Sequence, residues 1–545
     1  MIAVPAAISR YWHTLRYLKP VQLYGRVWHR LMRPRLDLRP APPLRARREP
    51  WVAVARRRQS LTGPATFRFL NEEHLLDKVG WDHPNLAKLW RYNLHYFDDL
   101  NASSSDSRCG WHRALMLRWV GENPPGRGTG WEPYPTSLRI VNWIKWVLKG
   151  NELPPECIHS LAVQARWLAK QVEWHLLGNH LFANAKALVF AGLFFEGSAA
   201  DAWQQAGLRI LGDEVAEQIL SDGGQYERSP MYHALALEDM LDLQSIVSAF
   251  PGFLPESTIQ LWREMIVRMR RWLAAMCHPD GEIAFFNDAA IGIAPSPAEL
   301  EGYAERLGGG ALPPLPDGTT HLAPSGYVRV QRGPAVALLD VAAVGPDYLP
   351  GHAHADTLSF ELSLFGRRVC VNSGTSQYGV SAERLRQRGT AAHNTVSLAG
   401  RDSSEVWNGF RVARRARPFD LRVAEIDATI VVSCSHDGYQ RLPGRPVHQR
   451  EWCLGTNSLR VTDRVSGPFA HAIARFHLHP GIEVLAGQIM RLPGGEYVQW
   501  SVDGGVLNIV GSSWHPEFGM SVENQCIEIR FERPEVSFQL DWKQP

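Results

Sequence analysis

Long apolar runs are missing from this 545-residue chain: no stretch of eighteen or more apolar residues occurs, so no transmembrane helix is expected. Cysteine is scarce. The seven Cys, at 109, 157, 277, 370, 434, 453 and 526, are odd in number, scattered, and never spaced CxxC. That pattern indicates neither a disulfide framework nor a zinc ribbon and leaves an isolated disulfide open. No internal repeat of fixed period stands out, which argues against a solenoid or propeller. The extreme N-terminus, MIAVPAAISRYWHTLRYLKP, lacks the basic start and apolar core of a signal peptide, so the sequence itself gives export no support. Acidic residues are nearly absent from positions 1–58, which hold 14 Lys/Arg against 2 Asp/Glu, or +12; the remainder has 44 against 53, or −9. A basic extension on an acidic body suits phospholipid, an acidic glycan or an acidic patch of its own protein. No feature points to nucleic acid, and the oligomeric state is left open.

What is present is the composition of an ordinary globular protein, 45% hydrophobic and 21% charged, with length for two or three domains. The 20 Trp exceed the ordinary. Most serve a core, but wide indole faces also stack on sugar rings, and Trp131 is the candidate for that role.

Residues 1–60 read as a basic arm with short helices, followed by the Pro/Arg-rich RPAPPLRARREP, which excludes regular helix. From about 86 to 277, segments such as PTSLRIVNWIKWVLKG, HLFANAKALVFAGLFF and STIQLWREMIVRMRRWLAAM carry apolar residues at three-to-four spacing between Gly and Pro stops. Seven or more consecutive helices make an all-α array of antiparallel hairpins. LGGGALPPLPDG (307–318) breaks the composition, and beyond it the period becomes two, as in YVRVQRGPAVALLDVAAV and TLSFELSLFGRRVCVNSG. Many short antiparallel strands imply a β-sandwich. The expected units are an arm at 1–60, a helical domain at 61–306, a linker at 307–318 and a sandwich at 319–545.

Three segments concentrate imidazole, amide and phenol groups. GNHLFANAKAL (178–188) opens a helix, with Asn179 at the entry and His180 and Asn184 four apart on one face; the plain alternative is a cap by Asn179 and a satisfied core histidine. SDGGQYERSPMYH places Tyr232 and His233 in the first turn of a helix opened by Pro230, with Tyr226 and Arg228 just before it. Tyr232 serves as acid or base only if cationic or hydrogen-bonding neighbours such as Arg228 lower its pKa; otherwise it is a packing residue. In GHAHAD, His352, His354 and Asp356 alternate at strand spacing and share a face. Such a pair suits a metal, with His393 of AAHNTV as a further ligand. Alternatively His352 reaches into a cleft while His354 holds its loop by hydrogen bonds.

Taken in order, NLHYFDDL, GNHLFANAKAL, ERSPMYH, GHAHADTLSFEL, VNSGT and HNTV resemble the heparinase II/III family of polysaccharide lyases and its alginate-lyase relatives, across roughly residues 80–540. The resemblance implies an incomplete (α/α) toroid followed by an antiparallel β-sandwich, and β-elimination at a uronic acid within an acidic polysaccharide. It implies that Asn179 and His180 grip the uronate carboxylate, that Tyr232 serves as base, acid or both, and that His352 reaches across from the sandwich. Asn184, Tyr226, Arg228 and Trp131 are the expected substrate contacts. The chemistry needs no cofactor. Some members hold a structural zinc, for which His354 and His393 match two ligands; the third position is Asn372 here, where those members have Asp, so a hydrogen-bonded His354–Asn372–His393 cluster is the other reading. The family further implies a periplasmic or cell-envelope location, against a start that leaves the cytoplasm open.

Two other functions compete. A non-catalytic glycan-binding or exopolysaccharide-assembly protein does not need a full acid/base set. A toroid-fold glycoside hydrolase needs two carboxylates facing the scissile bond, and Glu227, Glu238, Asp239 and Asp288 are available without a marking spacing.

Overall fold

The computed structural model describes residues 3–32 and 34–543, so positions 1, 2, 33, 544 and 545 of the expected arm and sandwich lie outside it. The chain is an α+β protein of two bodies, an incomplete (α/α) toroid followed by an antiparallel β-sandwich. Helices run from Lys88–Tyr96 through Pro297–Arg306, and strands of the sandwich from Gly318–Leu322 through Glu535–Trp542. The switch follows the change of apolar period from 3.6 to 2. A small three-stranded sheet, Leu61–Gly63, Thr66–Phe69 and Glu72–Leu75, precedes the helices.

At the centre of the toroid lies Gly178–Phe194, apolar all round, as a helix enclosed by others must be. Every residue of it is buried except Asn179 and His180. It packs closely on Ser198–Gln218 because glycines remove the intervening side chains. A Cβ on Gly207 would meet the Ala185 carbonyl at 2.6 Å, and one on Gly192 the Gln204 nitrogen at 2.6 Å.

The sandwich combines an eight-stranded, a five-stranded and a four-stranded sheet, antiparallel throughout. Val447–Leu454 alternates half-buried and buried residues, the sign of one face on a core. Phe360–Leu364 is buried on both faces. Its Glu361 receives His278 Nε2 at 2.8 Å, the Phe285 amide at 3.0 Å and the Asn372 amide at 2.7 Å, which pins the segment leaving the last long helix of the toroid onto the sheet.

Two expectations are corrected. GHAHADTLS is not strand: the strand begins at Phe360, and Leu358 sits at φ 62°, so His352, His354 and Asp356 ride on a loop. The β half contains a helix, Ala382–Arg388, capped by the Ser381 hydroxyl on the Arg384 amide at 3.0 Å. Of the readings open for the first 60 residues, the structure shows contact with the protein's own body. After the helices Ala3–Leu15 and Pro20–Leu31, the chain runs as an extended strap along the toroid, with Leu44 bridged to Phe195, Arg45 Nε donating to the Leu193 carbonyl at 3.0 Å, and Arg57 paired with Glu238. All seven cysteines are free.

Burial also sets the acid limit of the fold. His95, His233 and His477 are pushed down to about 3, in each case first by burial. Between that value and the ordinary 6.5 the unfolded chain binds protons that the folded chain refuses. This stability is therefore fully present above about pH 6.5 and lost as the pH falls toward 3. The urea midpoint should drop steadily from about pH 7 to pH 4; a flat profile over that range would contradict the burial of these rings.

Candidate active site

The exposed start of the central helix depends on one backbone device. Leu177 at φ 62° and Gly178 at φ 58° turn the chain sharply into the helix, and a Cβ on Gly178 would strike Leu349 at 2.5 Å and approach the Tyr226 hydroxyl to 3.2 Å. This close approach brings the loop before Pro230 and the loop around Leu349 against the helix start. His180 donates through Nδ1 to the Glu173 carboxylate at 3.2 Å, which leaves its Nε2 free of that bond, and packs against Tyr134 with rings tilted by 36° and 4.5 Å between centroids. Burial alone would raise Glu173, but His180 and Asn184 outweigh it and hold the carboxyl below its ordinary value.

The opposite side is organised by Asp288. Its carboxylate accepts from His352 Nδ1 at 2.8 Å, His354 Nε2 at 2.8 Å, Thr375 Oγ1 at 3.2 Å and both terminal nitrogens of Arg384, one of them at 2.6 Å. Burial would raise this group too; Arg384 and the two histidines outweigh it and keep it well below the carboxylate range. His352 is thus fixed with Nδ1 as donor and Nε2 turned toward Glu227 Oε2, 3.8 Å away. Glu227 is raised, first by burial, and its Oε2 has no hydrogen-bond partner among the described residues.

Tyr232 lies against His352, with 4.0 Å between ring centroids, and its hydroxyl meets that of Tyr378 at 2.9 Å. The Ser229 side chain caps its helix by accepting from the Tyr232 amide at 3.2 Å. A chain of contacts therefore runs from Gly178, beside Asn179 and His180, through Tyr226 and Glu227 to His352 and Tyr232.

Several expected roles do not match these positions. Tyr232 is only 8% exposed, and its phenol is pushed well above its ordinary value, first by burial and then by Tyr378 and Asp288, not lowered by Arg228. Arg228, at φ 60°, instead donates to the Ala343 carbonyl and joins the two halves. Asn184 is fully buried and clamps Glu173, accepting from its amide at 2.9 Å and donating to its carboxylate at 3.2 Å. Trp131 is core, its indole donating to the Asn123 carbonyl at 3.1 Å and its ring packed by Trp119 and Trp167. Asn372 turns away from the histidines: its carboxamide accepts from the Asn394 amide at 3.0 Å and reaches Ser359 at 3.4 Å.

His354 and His393 do meet, and their surroundings fix the tautomers. His393 Nδ1 faces the Gly389 carbonyl at 2.8 Å, and His354 Nε2 faces the Asp288 carboxylate; both nitrogens must carry hydrogen. The other two nitrogens, 3.0 Å apart, then present lone pairs to each other when the rings are neutral. Both rings are held below their ordinary pKa, His354 at about 4, first by burial. Asp356 completes the group, with one ligand atom from each residue lying within 4.8 Å of the others. Converging lone pairs beside a carboxylate fit a bound cation, with Asp356 and not Asn372 as the third ligand.

Comparison with known proteins gives the family and the fold. The heparinase II/III N-terminal domain matches residues 110–304 and the heparinase II/III-like C-terminal domain residues 315–543. The chain belongs to the heparinase II/III-like family. It is 29% identical over 293 residues to a heparin-sulfate lyase of Bacteroides stercoris, covering 49% of this chain but only 43% of that one, so it spans less than half of that relative's length. FtsZ-localized protein C of Caulobacter vibrioides is 24% identical over 464 residues, covering 75% of this chain and 77% of its own. A crystal structure of heparinase III superposes with TM-score 0.65 at 19% identity over 84% of this chain and 77% of that one, which shows the shared fold.

Glu173, Asp288, Tyr378 and Arg384 make the contacts that hold the candidate residues in place, and motif reading misses or misplaces all four. In the sequence Asp288 stands out only as a candidate hydrolase carboxylate, and Arg384 lies on a helix that the period-two pattern does not mark. The available signal was SAERLRQR, whose Ser cap and lack of alternation mark a helix amid strands. Replacing Asp288 by Asn would leave the buried Arg384 without its counter-charge, and breaking such a pair costs about 3–5 kcal/mol. The Asp288→Asn protein should show a correspondingly lower urea midpoint; an unchanged midpoint would mean that Asp288 does not hold this junction together.

Proposed function

We propose that this protein is a polysaccharide lyase that cleaves a uronic-acid-containing glycosaminoglycan by β-elimination. The observation that carries the reading is the pair of histidines, one from each half. Each binds a buried carboxylate through Nδ1, His180 with Glu173 and His352 with Asp288, and so keeps Nε2 for a ligand. Asn179 and His180 grip the uronate carboxylate and withdraw charge from C5, which makes the C5 proton removable. His352 Nε2 takes that proton, the electron pair forms the C4=C5 bond, and the C4–O bond breaks. Tyr232, kept protonated by burial, gives its proton to the departing oxygen and regains one from His352 beside it. The hydrolase reading is weaker, because Glu173 and Asp288 are each occupied by histidine and Glu227 stands without an ionised partner facing it. An acidic polysaccharide substrate puts the work in the periplasm or at the cell envelope.

Incubation with a panel of uronate polymers should raise the absorbance of 4,5-unsaturated ends on at least one of them. Tyr232→Phe and His352→Ala should each lower that rate by about 10²–10⁴-fold. Tyr232→Phe also loses the Tyr378 hydrogen bond, at a cost of about 1 kcal/mol of stability. Wild-type turnover in either variant would remove that residue from the mechanism.

His354, His393 and Asp356 are the residues that would hold a structural zinc. The ion would satisfy the facing lone pairs and, through His354, steady the Asp288 carboxylate. Elemental analysis of protein purified without chelator should give one zinc per chain, and Asp356→Ala should lower it. Metal-free wild-type protein would overturn this assignment.

A further inference from the structure

The two N-terminal helices carry their apolar stripes on the wrong side for packing. In Pro20–Leu31 the residues turned to the body are Gln22, Gly25 and His29: Gln22 donates to the Tyr348 carbonyl at 3.1 Å, a Cβ on Gly25 would touch His175 at 3.0 Å, and His29 stacks on that same ring at 4.4 Å. The opposite stripe, Leu23, Tyr24, Val27, Trp28 and Leu31, faces outward, with Trp28 64% and Leu31 73% exposed. Ile8, Trp12 and Leu15 of Ala3–Leu15 repeat the pattern, with Trp12 64% exposed. Arg10, Arg16, Arg26, Arg30 and Arg35 are exposed among them, and no Asp or Glu occurs before Asp37. Aromatic and aliphatic side chains flanked by arginine, on helices too short and too polar to cross a membrane, are the composition of an interfacial helix.

We propose that this outward face binds the surface of an anionic phospholipid bilayer. The stripe enters the boundary between headgroups and acyl chains, with Trp12 and Trp28 at the headgroup level, while the arginines meet lipid phosphates. Charge complementarity selects this occupant: five exposed arginines, Arg10, Arg16, Arg26, Arg30 and Arg35, with no carboxylate in the first 36 residues, attract an anionic surface, and a long, convex apolar stripe gives an acidic glycan nothing to hydrogen-bond. The inner side of the same helices rests on both halves of the protein, on Trp407 through Tyr11 and on His175 through His29, so docking would hold the whole body at the membrane.

Flotation of the full chain with vesicles tests this. Wild-type protein should float with phosphatidylcholine vesicles that contain phosphatidylglycerol and stay behind with phosphatidylcholine alone. The Trp12→Ser, Trp28→Ser double variant and the Arg16→Gln, Arg26→Gln, Arg30→Gln triple variant should each bind about tenfold less or weaker still. Because these side chains are exposed, both variants should keep the wild-type melting temperature; light scattering on the same samples reports self-association. Failure of the wild type to float, equal flotation with neutral vesicles, or unchanged flotation of the variants would overturn the proposal. So would a wild-type dimer that ignores vesicles and dissociates on Trp12→Ser, Trp28→Ser, since the face would then belong to a second copy of the chain.

Discussion

The carboxylate of Asp288 is buried among two histidines, a threonine and an arginine that come from different stretches of the β half, while Asp288 itself sits on the segment arriving from the toroid. An isolated carboxylate in that position would be costly; the bidentate guanidinium of Arg384 makes it stable and keeps it ionised. The Asp288 amide donates to the His352 carbonyl at 2.9 Å, so backbone and side chain together set the loop that carries His352 and His354. Remove this charge and three things lose their reference at once: the orientation of His352, the tautomer of His354, and the docking of Ala382–Arg388 on the loop.

Glu173 repeats the device on the helical side at smaller scale. It fixes His180 through Nδ1 and is itself held by Asn184 from one turn further along the central helix. The two halves thus present imidazoles of the same polarity, each with an acceptor-bound Nδ1. A carboxylate-bearing sugar needs donors that act before its proton leaves and a base that acts afterwards, and a matched pair of oriented histidines supplies one of each. The buried, protonated phenol of Tyr232 suits an acid better than a base, which is why the proton abstraction is assigned to His352.

The fold class was legible because period and punctuation agree with packing almost everywhere from Lys88 to Trp542. The site was legible as motifs but not as contacts. Asn184 and His180 share a helix face, as their spacing requires, yet one clamps Glu173 from within while the other reaches out; burial, which spacing does not encode, separates them. GHAHAD alternates like a strand but is a loop, because its histidine side chains are held by Asp288 and the His354 backbone amide donates to the Asn287 side chain, not to a ladder. Asn372 stands at the motif position of a metal ligand, but it is Asp356 that lies beside His354 and His393 in space. The basic arm was readable as charge, but only the structure shows that its apolar stripes point outward.

What separates elimination from hydrolysis at this site is the fate of water. The account has the C4–O bond broken by loss of the C5 proton, with no oxygen entering the product. Cleavage of the preferred glycosaminoglycan in heavy-oxygen water, followed by mass spectrometry of the oligosaccharides, measures this directly. The account predicts unsaturated ends and no heavy oxygen in either fragment; saturated products carrying one heavy oxygen per cut would contradict it.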